Sequence, residues 1–152
     1  GDHRDLHSFP TDALPIYPND TVNKNRIIGE GLPAGMIDAS SYDDMQELLC
    51  ATDTLVTDYS STLGEMLIME KKCFIYAYDY EEYLKDRGLL MDFKELPFPF
   101  ALTEKELLRS IKDFSASDYV KKVRDFKKEH NIYETGHASQ DIGNRILLEM
   151  KK

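Results

Sequence analysis

Cys73-Phe74-Ile75-Tyr76-Ala77 is a nearly unbroken apolar run, and a strand that is apolar at successive positions has to be covered on both faces, as the strands of parallel sheets are. Two shorter apolar segments precede it, Met36-Ile37-Asp38 and Thr54-Leu55-Val56. Between them the period changes. Ser41 is placed to cap a helix whose Met45, Leu48 and Leu49 share one face, and Leu63, Met66 and Leu67 form a second such face. Strand and helix in alternation give βαβ units, so the spacing predicts a Rossmann-like α/β layer, a parallel sheet flanked by helices.

The remainder of the chain is organised around this layer. Residues 1–35 carry Pro10, Pro15 and Pro18 without a sustained period and are read as an irregular N-terminal part with one short strand near 13–16. Residues 36–152 are read as the Rossmann-like domain with C-terminal helices. Tyr80 to Leu84 forms a helical turn ended by Gly88, and Pro97-Phe98-Pro99 reads as a loop. Thr103 and Glu106 make a capping box for a helix through Ile111, and Ser117 starts a basic-faced helix to about His130. Ser139 opens the last helix, with Ile142, Ile146 and Leu147 facing inward.

At 152 residues the chain is long enough for one ordinary domain with its own core. No apolar run approaches the roughly 20 residues of a membrane-spanning helix. The start, Gly1-Asp2-His3-Arg4, has neither Met nor an apolar signal core, which reads as a piece of something larger. Cys50 and Cys73 lie in apolar stretches far apart, as buried thiols of a reducing compartment do, so a cytoplasmic location is expected. A net charge of -9 argues against nucleic-acid binding. The local cluster Lys121, Lys122, Arg124, Lys127 and Lys128 reads as a solvated helix face. His3, His7, His130 and His137 form no i,i+4 pair, so no metal site is expected, and no cofactor.

Thr57-Asp58-Tyr59-Ser60-Ser61-Thr62 sits where the Thr54-Leu55-Val56 strand passes into the next helix. A turn of small hydroxyl residues there offers unpaired N–H groups, side-chain hydroxyls and the positive end of a helix dipole, which suit a phosphate or diphosphate. Equally, Ser and Thr are common helix caps whatever a protein does. The carboxylate of Asp58 would repel a diphosphate unless turned away, and it is assigned a structural part in the turn.

A larger pattern runs through the chain: Ile37-Asp38-Ala39-Ser40-Ser41-Tyr42 continuing to Leu49, then Thr57-Asp58-Tyr59-Ser60-Ser61, Tyr76-Ala77-Tyr78-Asp79, Asp86-Arg87-Gly88, Leu96-Pro97-Phe98-Pro99 and Gly136-His137-Ala138-Ser139. In order and spacing it resembles the C-terminal domain of the CDP-glycerol glycerophosphotransferase family, the teichoic-acid primases and polymerases of bacterial cell walls. The resemblance implies the C-terminal half of a GT-B architecture, in which this domain holds the nucleotide donor and no metal is obligatory. It also implies that Ser60, Ser61 and Thr62 bind the donor diphosphate. Glu65 either faces the nucleotide or lies on the helix surface. Arg87 either neutralises phosphate or pairs with Asp86, and His137 either meets substrate or is a surface side chain. Two positions depart from the family pattern. Tyr17, in Ile16-Tyr17-Pro18, stands where the family has a His-containing turn, and Cys73 stands where it commonly has Pro.

The resemblance thus implies the donor-binding part of a CDP-glycerol or CDP-ribitol phosphotransferase. It would act on a lipid-linked acceptor at the cytoplasmic face of the membrane, together with a missing N-terminal domain. A GT-B glycosyltransferase using a nucleotide sugar would use the same turn. A domain that keeps the fold without the activity is the third reading, and Tyr17 favours it. A receiver domain phosphorylated on Asp58 is disfavoured, because the required acidic pair and Lys are not in place.

Overall fold

In the computed structural model, which describes residues 14–16, 32, 34–89 and 91–151, every strand pairing among the described residues is parallel. The chain divides into two units, Gly1–Thr52 and Asp53–Lys152. In the first, β1 (Leu14–Ile16) pairs with β2 (Met36–Asp38), Pro15 opposite Ile37. Helix α1 (Met45–Ala51) follows. Its cap is Asp44, not Ser41: Asp44 has the extended backbone a cap needs, and its Oδ1 accepts from the N–H groups of Gln46 at 2.9 Å and Glu47 at 3.1 Å. Leu48 and Leu49 are buried as expected, but Cys50 is exposed. The apolar run around Cys50 is helical, so the residue after the two buried leucines turns outward.

The second unit holds the larger sheet. β3 (Thr54–Thr57) leads to α2 (Thr62–Ile68) and β4 (Lys72–Tyr76), then to α3 (Tyr80–Asp86) and a 3₁₀ turn at Phe93–Glu95. β5 (Phe100–Ala101), α4 (Glu104–Lys112), α5 (Ala116–Glu129) and α6 (Ala138–Glu149) complete it. The order is β3-β4-β5, so the apolar run occupies the central strand, with Leu55 opposite Cys73 and Ile75 opposite Phe100. Cys73, Phe74 and Ile75 are buried in succession, with Leu63, Met66 and Leu67 of α2 and Tyr119 and Val123 of α5 also in the core. Each fully buried side chain of this size contributes about 1.5–3 kcal/mol. The α/β layer is therefore as expected, except that Pro97-Phe98-Pro99 leads into a strand. Pro99 lends only its carbonyl, accepting from Ile75 N–H at 2.8 Å, which is the one ladder bond a proline can make.

The helix ends differ from the sequence reading in detail. The Thr103–Glu106 capping box is present, and α4 runs to Lys112. Helix α5 is capped by Ser115 rather than Ser117, through a bond to Asp118 N–H. At α6 the cap position is His137, and no side chain bonds there, so Ser139 lies inside the helix. Ile142, Ile146 and Leu147 are 62%, 54% and 57% exposed, so the face expected to point inward is uncovered in this chain. The basic cluster on α5 is also only partly a solvated face. Arg124 Nε and Lys127 Nζ grip the Glu70 carboxylate at 2.9 and 3.1 Å, just beyond α2. No helix among the described residues is long and apolar enough to cross a membrane.

Candidate functional site

Strand β3 ends at Thr57 and α2 starts at Thr62, leaving a four-residue turn at the C-terminal edge of the sheet, where ligands of open α/β sheets bind. The Ser60 hydroxyl accepts from Thr62 Oγ1 at 2.9 Å and from Thr62 N–H at 3.3 Å, while the Ser60 carbonyl accepts from Leu63 N–H. Ser60 and Thr62 thus form one hydroxyl pair. Ser61 is different. It occupies the cap position with helical backbone angles, φ -64° and ψ -16°, which keep its side chain from reaching the first-turn amides. Its hydroxyl is exposed and, among the described residues, unbonded, so capping does not account for it.

Tyr59 ties this turn to the next strand–helix connection. Its hydroxyl donates to Asp79 Oδ1 at 2.9 Å, and its ring stacks on Tyr83 with centroids 3.7 Å apart. Burial first, and then the bond to Asp79, raise the Tyr59 phenol well above its ordinary pKa. A second tyrosine–carboxylate pair lies beside it. Tyr80 donates to Asp92, and Lys94 Nζ sits 4.5 Å above the Tyr80 ring. Burial pushes the Tyr80 phenol up to about 12, and the Tyr80 bond holds the Asp92 carboxyl below its usual range.

The other expected site residues are more dispersed. Asp58 is exposed and makes no side-chain hydrogen bond among the described residues; the bonds that hold the turn come from Tyr59, Ser60 and Thr62. Glu65 is exposed on α2. Arg87 is the C-cap of α3, exposed and without an ion pair to Asp86 among the described residues, and Gly88 takes the left-handed backbone, φ 68°, that ends the helix. His137 is exposed at the start of α6, beyond Gly136 at φ 75°. Tyr17 lies outside the described residues. Among the described residues no cluster of His, Cys, Asp and Glu suits a metal ion. What sequence reasoning missed is the Tyr59–Asp79–Tyr83 contact. Its signal was an aromatic residue in an otherwise small, polar turn.

Comparison with known proteins converges on one family. The profile of the CDP-glycerol:poly(glycerophosphate) glycerophosphotransferase family matches residues 22–148. A teichoic acid glycerol-phosphate transferase of Staphylococcus aureus is 36% identical over 114 residues, 72% of this chain and 29% of that protein. A teichoic acid poly(glycerol phosphate) polymerase of Staphylococcus epidermidis is 34% identical over 120 residues, 76% of this chain and 17% of that protein. The structure of the wall teichoic acid polymerase TagF superposes with a TM-score of 0.64 at 26% identity, over 95% of this chain and 45% of that one. A variant of that polymerase has also been solved after a 30 minute soak with CDPG. The chain thus spans under a third of the curated relatives and under half of the solved polymerase.

Proposed function

The chain belongs to the CDP-glycerol:poly(glycerophosphate) glycerophosphotransferase family, and from that premise we propose that it is the donor-binding part of a teichoic-acid alditol-phosphate transferase. The donor is CDP-glycerol or CDP-ribitol, and the acceptor is a hydroxyl of a lipid-linked or growing polymer at the cytoplasmic face of the membrane. In the reaction the acceptor oxygen attacks the phosphorus that carries the alditol. A P–O bond forms to the acceptor, the P–O bond to CMP breaks, and the acceptor proton passes to a base. Such a transfer depends on in-line positioning and on stabilising charge as it moves onto the departing CMP.

This chain supplies the second requirement. The Ser60 and Ser61 hydroxyls donate to diphosphate oxygens, Thr62, whose own hydroxyl and N–H bond to the Ser60 hydroxyl, orients that donor, and Arg87, with no competing ion pair among the described residues, neutralises the charge. Glu65 faces the nucleotide, and His137 is held in reserve for substrate. The acceptor base belongs to the N-terminal half of a GT-B pair, as does most of the contact with acceptor. The observation that carries this reading is Ser61. Its hydroxyl sits at a helix start in a family that handles CDP-glycerol, and helix capping does not use it.

The test is calorimetry on the complete protein with CDP-glycerol, CMP and a UDP-sugar. CDP-glycerol is expected to bind, and Ser60→Ala with Ser61→Ala to weaken it by about tenfold or more, the loss of two hydrogen bonds to a charged group. Preferential UDP-sugar binding would turn the reading into a glycosyltransferase. Absence of any nucleotide binding would leave a fold without the activity.

A further inference from the structure

Tyr59 stands inside the hydroxyl turn, between Asp58 and Ser60. Its two contacts reach residues 20 and 24 positions away: the hydroxyl bond to Asp79 at 2.9 Å, and the stack on Tyr83 at 3.7 Å and 18°. Phe93 and Tyr80 close the cluster at 5.8 and 6.3 Å. Asp79 immediately precedes α3, and its carboxylate makes no bond to the helix amides, so it is committed to Tyr59 rather than to capping. Tyr83 lies one helical turn before Arg87, whose N–H donates to the Tyr83 carbonyl at 3.0 Å. Residues four apart on a helix share a face. The ring under Tyr59 and the start of the Arg87 side chain therefore lie along one side of α3.

We propose, resting on the donor-binding reading above, that Tyr59 is a positioning residue for the donor diphosphate. Through Asp79 and Tyr83 it holds the Ser60–Thr62 hydroxyls in fixed register with the helix that ends in Arg87. A helix of seven residues draws the order of its first turn from tertiary contacts, here the burial of Leu63 and the bonds of Tyr59 beside it. A diphosphate bridging two unlinked loops would spend part of its binding energy on ordering both, and a preformed latch removes that cost. Tyr59 does not act as a base. Burial and the neighbouring Asp79 carboxylate keep its phenol protonated far above neutral pH.

Three substitutions in the complete protein separate this role from simple packing. Tyr59→Phe keeps the ring stack and deletes the bond, Asp79→Ala deletes the acceptor, and Asp79→Asn keeps an acceptor oxygen. Affinities for CDP-glycerol and for cytidine, which lacks phosphate, are measured together with amide exchange at Thr62 to Gly64 in the absence of nucleotide. Tyr59→Phe and Asp79→Ala are expected to weaken CDP-glycerol about five- to tenfold, the worth of one hydrogen bond, while cytidine changes less than about twofold. Asp79→Asn recovers most of the loss, and the three amides exchange faster in Tyr59→Phe. Unchanged CDP-glycerol affinity in Tyr59→Phe overturns the inference, as does a parallel loss for cytidine, which would mark a general structural role. Failure of the wild type to bind CDP-glycerol would instead remove the donor-binding reading, and this inference with it. The amide exchange tells the two failures apart, because it reads the latch without any ligand.

Discussion

At the residue scale, Tyr119 shows how one hydroxyl completes a sheet that a short strand leaves unfinished. Along β4, the N–H groups of Ile75 and Ala77 point to the β5 side, where they donate to the carbonyls of Pro99 and Ala101. Cys73 comes next in that alternation, and β5 does not reach it. There the Tyr119 hydroxyl accepts from Cys73 N–H at 3.0 Å and donates to the Lys71 carbonyl at 2.7 Å. Burial raises the Tyr119 phenol above its ordinary pKa, so it stays a donor throughout the useful pH range. Tyr119→Phe should therefore cost about 1–3 kcal/mol, because it takes the acceptor from the buried Cys73 N–H and a donor from the Lys71 carbonyl. Urea unfolding should show a lower midpoint with an unchanged slope; a midpoint equal to wild type would mean that water replaces the hydroxyl. Nothing in the sequence marked Tyr119 for this part. Its partners are backbone groups in and just before β4, 46 and 48 residues away. The Ser60–Thr62 turn was legible as a hydroxyl-rich helix start because its bonds run between neighbours in sequence, whereas Tyr59 and Tyr119 bond to distant residues.

At the scale of elements, the far end of α2 is closed by another helix. Glu70 follows the helix with φ 54°, a left-handed position that glycine or asparagine usually fills. Arg124 and Lys127 of α5 hold its carboxylate, and Lys127 also donates to the Ile68 carbonyl at 3.3 Å, one of the acceptors that a helix C-terminus leaves open. Those two hydrogen bonds lower the Glu70 pKa below its ordinary 4.5. A lowered folded value means that the stabilisation is fully present above about 4.5 and is lost as pH falls through the folded value. Arg124 is mostly exposed and the pair is screened, so Glu70→Gln should cost at most about 1 kcal/mol at neutral pH. Gln keeps the same backbone strain and removes only the charge. The difference from wild type should vanish in acid below the folded value, where Glu70 is itself neutral; a difference that persists there would mean the clasp is not ionic. Elements of this size were legible where the apolar period is complete, as in β4 and α2. Two-residue β5 escaped because pairing with β4, not its own pattern, makes it a strand. The cap of α1 moved to Asp44 because Ser40, Ser41, Asp43 and Asp44 all crowd the approach to that helix, and Asp44 is the one with extended backbone whose carboxylate reaches the Gln46 and Glu47 amides.

At the scale of the whole molecule, the candidate site is one-sided. Ser61, Glu65, Arg87 and His137 are all exposed, although sites for ligands of nucleotide size usually enclose most of the ligand surface and often form between domains. The chain also covers only 45% of the solved polymerase it superposes on, and α6 leaves Ile142, Ile146, Leu147, Leu148 and Met150 more than half exposed. An inward orientation for the α6 residues was inferred from period alone, and period says which residues share a face without saying what covers it. A donor resting on a single open surface keeps much of its hydration and gains little beyond its diphosphate contacts. The isolated 152-residue chain should therefore bind CDP-glycerol only weakly, with a dissociation constant on the order of 1 mM, about −4 kcal/mol. It should also release no CMP when an acceptor is supplied, if the base belongs to the proposed N-terminal half. Adding that half, as one chain or as a separate partner, should tighten donor binding by about tenfold or more if the site closes between the two. Calorimetry and a CMP-release assay on both forms give the comparison. Equal donor affinity in the two forms would show that this unit holds the donor alone, and CMP release by the isolated chain would place the base among the residues described here.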